Sequence, residues 1–317
     1  MKPVKRVLVI KLSALGDFVQ AMGPFAAIRA HHPEAKITLL TTKPYVGLAE
    51  QSPYFDEVWT DTRPKAWDVA GVMRLRKMLR SAKVEMVYDL QTSDRSSTYY
   101  HIMGDPPWSG IANGCSHPHA NPDRDLMHTI DRQAEQLAMA GIAPTPLPDL
   151  SWVKADIARL LVPRRAVLLV PGGAPHRPGK RWPADRFAAL GNQLAAKGLY
   201  PVVLGTRADA EAIKVILGNC PHAMSLADQT SFADVVVLAR HALGAIGNDT
   251  GPMHLIAAAG CPAVVLFSNE SDPSLCAPRG RVEVIAAEEL GQLPLEQVEA
   301  ALAEGPAALR DVPASLT

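Results

Sequence analysis

Apolar residues fall in short unbroken runs along the chain, and each run is followed by a stretch with helix-like spacing of apolar positions. In the first half the runs are residues 6–10, 36–41 and 84–90, with a weaker run at 57–60. In the second half they are 166–170, 201–204, 243–247, 263–267 and 282–285. Runs this short, rich in β-branched and aliphatic residues, read as strands buried on both faces. The stretches 17–31 (interrupted near Pro24), 44–51 and 66–81 read as helices, as do 183–197, 208–217, 231–240 and 253–259. The Ala-rich tail after Leu290 reads as a closing helix. Strands separated by helices imply parallel sheets with right-handed crossovers and helices on both faces. The expected class is α/β, with doubly wound, Rossmann-like sheets.

At 317 residues the chain is about twice the commonest single-domain size, which favours two domains. The pattern pauses at residues 141–151, GIAPTPLPDLS, where Pro144, Pro146 and Pro148 make the stiffest linker in the chain. The boundary is placed there, giving domains at 1–150 and 151–317 whose strand C-termini are expected to face one another across a cleft. A hydrophobic share of 48% is ample for a large core. Lys+Arg and Asp+Glu are both 32, so the chain has no global field to hold nucleic acid, and phosphate chemistry must rest on a few placed cations. Cysteines at 115, 220, 261 and 276 form no CxxC pair, which argues for a reducing compartment. The N-terminal apolar run, residues 7–10, is too short for a signal-peptide core, and no window is apolar enough to span a bilayer. The expectation is a soluble, cytoplasmic protein.

Three loops carry candidate chemistry. After the first strand comes Lys11-Leu-Ser13-Ala-Leu-Gly16-Asp17, with Gly16 permitting a tight turn and Asp17 at the start of the next helix. A carboxylate there lies where doubly wound sheets hold ligands and could act as a general base, or it could be an ordinary helix N-cap. The absence of GxGxxG after Ile10 counts against a dinucleotide site. The second loop runs from Val170 through Gly172, Gly173, Arg177, Gly179, Lys180 and Arg181 to Pro183. It fails as a P-loop, because Ala174 stands for the first glycine and Arg181 for the Ser/Thr. Lys180 beside a helix N-terminus could still neutralise a diphosphate; the bland alternative is a solvated basic loop. The third is Gly247-Asn-Asp249-Thr250-Gly251-Pro-Met-His254, a strand-to-helix turn whose free N–H groups favour an anion.

Other patterns carry less. Asp123-Arg-Asp125 matches DxD formally but sits in a loop-like stretch and reads as a solvated turn. Cys115, His117 and His119 are too tightly spaced for common zinc sites, and no GxSxG is present.

Taken together, VLVIKLSALGD, GKRWP and GNDTGPMHLIAAAGCPAVVLF resemble glycosyltransferase family 9, the heptosyltransferases of lipopolysaccharide core assembly. The resemblance covers most of the chain, in the right order, and leaves about 92–125 unmatched. It implies a GT-B fold, with an acceptor-binding N-terminal domain and a nucleotide-sugar-binding C-terminal domain, the last helix packing back on the first. It implies inverting transfer of L-glycero-D-manno-heptose from ADP-heptose to a Kdo- or heptose-bearing lipid acceptor at the inner membrane face, with no cofactor and no metal. Carried over residue by residue, Asp17 is the base, with Ser13 and Gly16 completing its motif, and Lys180, with Arg181 beside it, holds the donor diphosphate. Asp249, Thr250 and Gly251, followed by His254, form the diphosphate turn, and Glu211 is preferred to Asp209 beside the donor ribose. Acceptor phosphates are assigned to Lys11, Arg63 and Arg74, with Lys65, Arg76 and Lys77 also available; a solvated helix face is the alternative for these. Base and clamp on opposite halves imply domain closure. Two other readings keep the motifs: a different donor or acceptor (O-chain or protein), or a nucleotide-sugar-binding protein without catalysis.

Overall fold

The computed structural model describes residues 3–65, 67–174 and 176–311, so Ala66 of the expected helix at 66–81 and Pro175 of the second loop lie outside it. The chain divides into two compact units between Trp152 and Val153. In the first unit the elements are β1 (Arg6–Ile10), α1 (Leu15–Gln20), α2 (Met22–His31), β2 (Lys36–Thr41), α3 (Val46–Ala49) and β3 (Glu57–Thr60). They continue with α4 (Val69–Ser81), β4 (Met86–Asp89), α5 (Asp94–Met103), β5 (Trp108–Gly110), β6 (His117–Pro118) and α6 (Thr129–Met139). The second unit begins with β7 (Ala166–Val170), α7 (Ala184–Ala196), β8 (Tyr200–Val203), α8 (Ala210–Asn219), β9 (Met224–Ser225) and α9 (Phe232–His241). It ends with β10 (Gly244–Asn248), α10 (Gly251–Ala258), β11 (Ala263–Phe267), α11 (Pro273–Cys276), β12 (Val282–Ala286) and α12 (Leu295–Ala303).

Each unit holds one six-stranded sheet, ordered β3-β2-β1-β4-β5-β6 and β12-β11-β10-β7-β8-β9. All ten strand pairings are parallel. Numbered within its own unit, the second sheet repeats the order of the first, the doubly wound arrangement with a switch point between its first and fourth strands. The central strands are apolar throughout because helices cover both faces: β7 and β11 bury all five residues, and β1 all but its first. One core gathers Val167, Leu169, Trp182, Phe187, Val264 and Leu266 among others; another gathers Leu8, Ile10, Leu79, Val87, Tyr99 and Trp108.

Local chemistry explains the departures from expectation. The helix expected at 17–31 is two helices that meet at Ala21. Pro24 then stands in the first turn of α2, where its missing N–H costs no intrahelical bond. The stretch 44–51 yields a 3₁₀ turn, Lys43–Tyr45, and the short α3. α4 starts at Val69, where Asp68 caps it by accepting the Gly71 amide at 2.8 Å. Residues 90–141, for which the pattern names no element, contain α5, β5, β6 and α6. Gly104, at φ +85°, ends α5 in the left-handed conformation that a Cβ disfavours. The proline-rich stretch packs on α2: a Cβ at Gly23 would lie 1.9 Å from the Pro146 carbonyl oxygen, so only glycine fits. The closing helix α12 packs on α7 and β11 of its own unit, burying Leu295, Val298 and Leu302.

Candidate active site

Parallel register sets the geometry of the first unit. Ile10 pairs with Asp89 across β1 and β4, so the loops after these strands emerge side by side at the switch point. The Gln91 side chain ties them together, its Oε1 accepting the amides of Leu12 at 2.7 Å and Ser13 at 3.0 Å. α1 begins at Leu15, two residues earlier than expected, so Gly16 lies within its first turn and not in a preceding turn. Ala14 is the N-cap, and Asp17 is the third helical residue, accepting the Ala14 amide on Oδ2 at 3.1 Å. That carboxylate supports the helix start yet stays half-buried beside the loop.

Lys11 is buried and donates to the Leu90 carbonyl at 3.0 Å. Burial pushes its ammonium below the ordinary value, with Asp17 and Asp89 opposing and Arg132 adding to the shift. It is therefore an internal amine and not an open surface charge. Arg63 donates to the Ser13 hydroxyl at 2.6 Å, which joins two of the expected residues. Arg74 sits elsewhere, on the exposed face of α4 with Met73, Lys77 and Arg80.

Asp89 is fully buried, and burial pushes its carboxyl up to about 6 from an ordinary 3.8, against the Ser96 hydroxyl, the Thr92 and Gln91 amides and the Lys11 charge. Between those values the folded chain holds a proton that the unfolded chain has released, so raising the pH destabilises the fold through this group. Its contribution is complete below pH 3.8 and is lost as the pH rises through about 6. At 1.36 kcal/mol per unit the swing is roughly 3 kcal/mol. Asp89→Asn keeps an oxygen for the two amides but carries no charge. In thermal melts across this range the wild type is expected to lose stability relative to that variant. Parallel melting curves for the two proteins would remove Asp89 as the source.

The second unit repeats the geometry. Gly247 pairs with Val170 across β10 and β7, bringing the Gly172–Arg181 loop against the Asn248–Gly251 turn. Gly247 has no room for a side chain, since a Cβ would lie 2.6 Å from both Val170 Cβ and Met253 Sδ. Asn248 is fully buried and staples the loops: its Oδ1 accepts the Trp182 amide at 2.9 Å, and its Nδ2 donates to the carbonyls of Pro171 at 2.8 Å and Gly172 at 3.1 Å. Trp182 is buried too, donating its indole N–H to Leu293. Lys180 Nζ lies 2.6 Å from Asp249 Oδ2, which also accepts the Ser271 hydroxyl at 2.7 Å. Asp249 thus spends its carboxylate on orienting Lys180. What this turn offers an anion is backbone N–H and the Thr250 hydroxyl.

Beside this pair is a cavity of about 620 Å³, lined by Gly172, Gly173, Thr206, Asp209, Asp228 and Thr250, among others. That volume suits a small organic ligand. Thr250 Oγ1 is buried and meets no hydrogen-bond partner among the described residues, and the N-terminus of α10 opens here through Thr250, Gly251 and Pro252. Arg181 donates to the Gly173 carbonyl at 2.6 Å and lies 3.6 Å from Asp209 Oδ1. Asp209, with Thr206 bonded to its other oxygen, lines the cavity; Glu211 is exposed on α8 and does not. His254 is buried within α10.

Among the described residues no group of three or more His, Cys, Asp or Glu side chains is placed to hold a metal ion. Asp125 pairs with Arg124 at 2.8 Å, and His119 lies 3.2 Å from Glu135. Gln91, Asp89, Ser271 and the stapling role of Asn248 were not visible as site features in the sequence. Asn248 stood inside a quoted motif, whereas Asp89 ends β4 and Gln91 follows it in a turn that carries no recognisable spacing.

The sequence profile described as "Glycosyltransferase family 9 (heptosyltransferase)" matches residues 72–302. "Lipopolysaccharide heptosyltransferase 2" of Escherichia coli is 25% identical over 295 residues, covering 84% of this chain and 83% of that protein. A solved glycosyltransferase family 9 structure from Veillonella parvula superposes with a TM-score of 0.84 at 20% identity, covering 95% of this chain and 97% of that one. The structure of Escherichia coli ADP-heptose lps heptosyltransferase II superposes with a TM-score of 0.78 at 23% identity, covering 94% and 97%.

Proposed function

The chain belongs to glycosyltransferase family 9, and from that premise we propose that it transfers L-glycero-D-manno-heptose from ADP-heptose to a Kdo- or heptose-bearing lipopolysaccharide core acceptor, with inversion and without a metal. The observation that carries the reading is the pairing of buried Lys180 with Asp249 beside a nucleotide-sized cavity at the N-terminus of α10. The first unit is proposed as the acceptor domain and the second as the donor domain.

In a single displacement the acceptor hydroxyl attacks the anomeric carbon from the face opposite the diphosphate. The new C–O bond forms as the bond from the anomeric carbon to the diphosphate oxygen breaks, and that electron pair leaves on ADP. The hydroxyl proton passes to the Asp17 carboxylate, the general base. Charge grows on the departing β-phosphate and is stabilised by Lys180 with the α10 N–H groups. Asp209 replaces Glu211 as the acid beside the ribose, because Asp209 lines the cavity. The acceptor is a lipid-linked saccharide met at the cytoplasmic face of the membrane; no helix of the described residues is long and apolar enough to cross it.

The test pairs binding with turnover. ADP at a hundred times its dissociation constant is expected to stabilise the protein by about 2.7 kcal/mol in thermal melts, with UDP and GDP giving less. ADP release from ADP-heptose should then depend on added core acceptor. Stabilisation by UDP or GDP in place of ADP would overturn the donor, and acceptor-independent release would overturn the transferase reading.

A further inference from the structure

The charge-balanced chain concentrates its cations in one segment. Residues 63–83 hold Arg63, Lys65, Arg74, Arg76, Lys77, Arg80 and Lys83 against a single acid, Asp68, although the whole chain carries 32 of each sign. Asp68 is occupied as the N-cap of α4. α4 turns Gly71, Leu75 and Leu79 inward at a spacing of four. Its outer face presents Ala70, Met73, Arg74, Lys77 and Arg80, which line a shallow groove with Arg76. Among the described residues no ion pair engages Arg74, Arg76 or Lys77.

Exposed apolar side chains gather at the N-terminal end of this segment. Trp67 is 77% exposed, Val69 68% and Met73 55%, three large hydrophobic side chains within seven residues. Single exposed apolar residues are ordinary, but a cluster rimmed by cations is the pattern of a surface that binds something. The Lys65 ammonium lies 4.9 Å above the Trp67 ring, so an aromatic and a cation share one spot, as suits the boundary between lipid headgroups and acyl chains.

We infer that the outer face of α4, with Trp67 at its head, is a docking surface for an anionic lipid bilayer. The cations meet lipid phosphates, while Trp67, Val69 and Met73 enter the headgroup layer. This reassigns Arg74 from an acceptor contact to a membrane contact. It stands on charge and exposure alone and does not depend on the donor, the acceptor or Asp17.

Flotation of the full chain with vesicles free of lipopolysaccharide tests it. Vesicles containing phosphatidylglycerol and cardiolipin should bind at least tenfold more protein than pure phosphatidylcholine vesicles, and high salt should remove most of the difference. R76E/K77E should fall to the phosphatidylcholine level, and W67A/M73A should lose binding at every salt concentration. A wild-type circular dichroism spectrum and a cooperative melt verify that each variant is folded. Equal flotation with neutral and anionic vesicles, unchanged flotation of folded R76E/K77E, or tighter capture by single-stranded RNA than by anionic vesicles would each overturn the assignment.

Discussion

Asp17→Asn is expected to lower the rate of ADP release from donor plus acceptor by roughly 10²–10⁴-fold while leaving stabilisation by ADP unchanged. Asn is nearly isosteric and keeps an oxygen for the Ala14 amide, so the start of α1 is preserved. It cannot take up the proton of the attacking hydroxyl. Asp17→Ala separates the two roles further, since it also removes the acceptor of the Ala14 amide and should lower the melting temperature by the equivalent of about 1 kcal/mol. A carboxylate serving the helix alone would give the opposite result. Turnover would then survive in Asp17→Asn, with any loss confined to thermal stability.

Lys180→Ala carries the second large effect, with an expected loss of roughly 10²–10³-fold in kcat, the scale of removing one preorganised stabiliser of developing charge. The variant also strips Asp249 of its cation, leaving a carboxylate with side-chain exposure of only 10% held by Ser271. Breaking a buried pair from one side costs about 3–5 kcal/mol in stability. Lys180→Ala/Asp249→Asn should therefore regain most of the melting temperature and little of the activity. Recovery of both together would make the pair structural and take Lys180 out of leaving-group stabilisation.

What the chain alone determined is what local periodicity encodes. Buried strands announce themselves as apolar runs, and the alternation with helices requires parallel, doubly wound sheets. The loops after β1, β7 and β10 were legible because glycine and charged residues interrupt the pattern where a strand ends. α6 was not legible, because its inward face includes Gln133 and Gln136 beside Ile130 and Leu137, which breaks the apolar stripe. α5 was hidden similarly: DRSSTYYHIM is largely polar, and its Ser93–Ser96 cap becomes visible only in the folded backbone.

Tertiary structure alone decided which side chains meet. Lys180 and Asp249 are 69 positions apart, and they touch because β7 and β10 are neighbours at the switch point. Gln91 reaches the Leu12 and Ser13 amides for the same reason at β4 and β1. Composition names Asp89, Lys11 and Asp249 only as charges. Burial displaces the protonation of the first two, and a 2.6 Å contact gives the third its partner. Periodicity records which residues leave water; the strand order decides which of them leave it together.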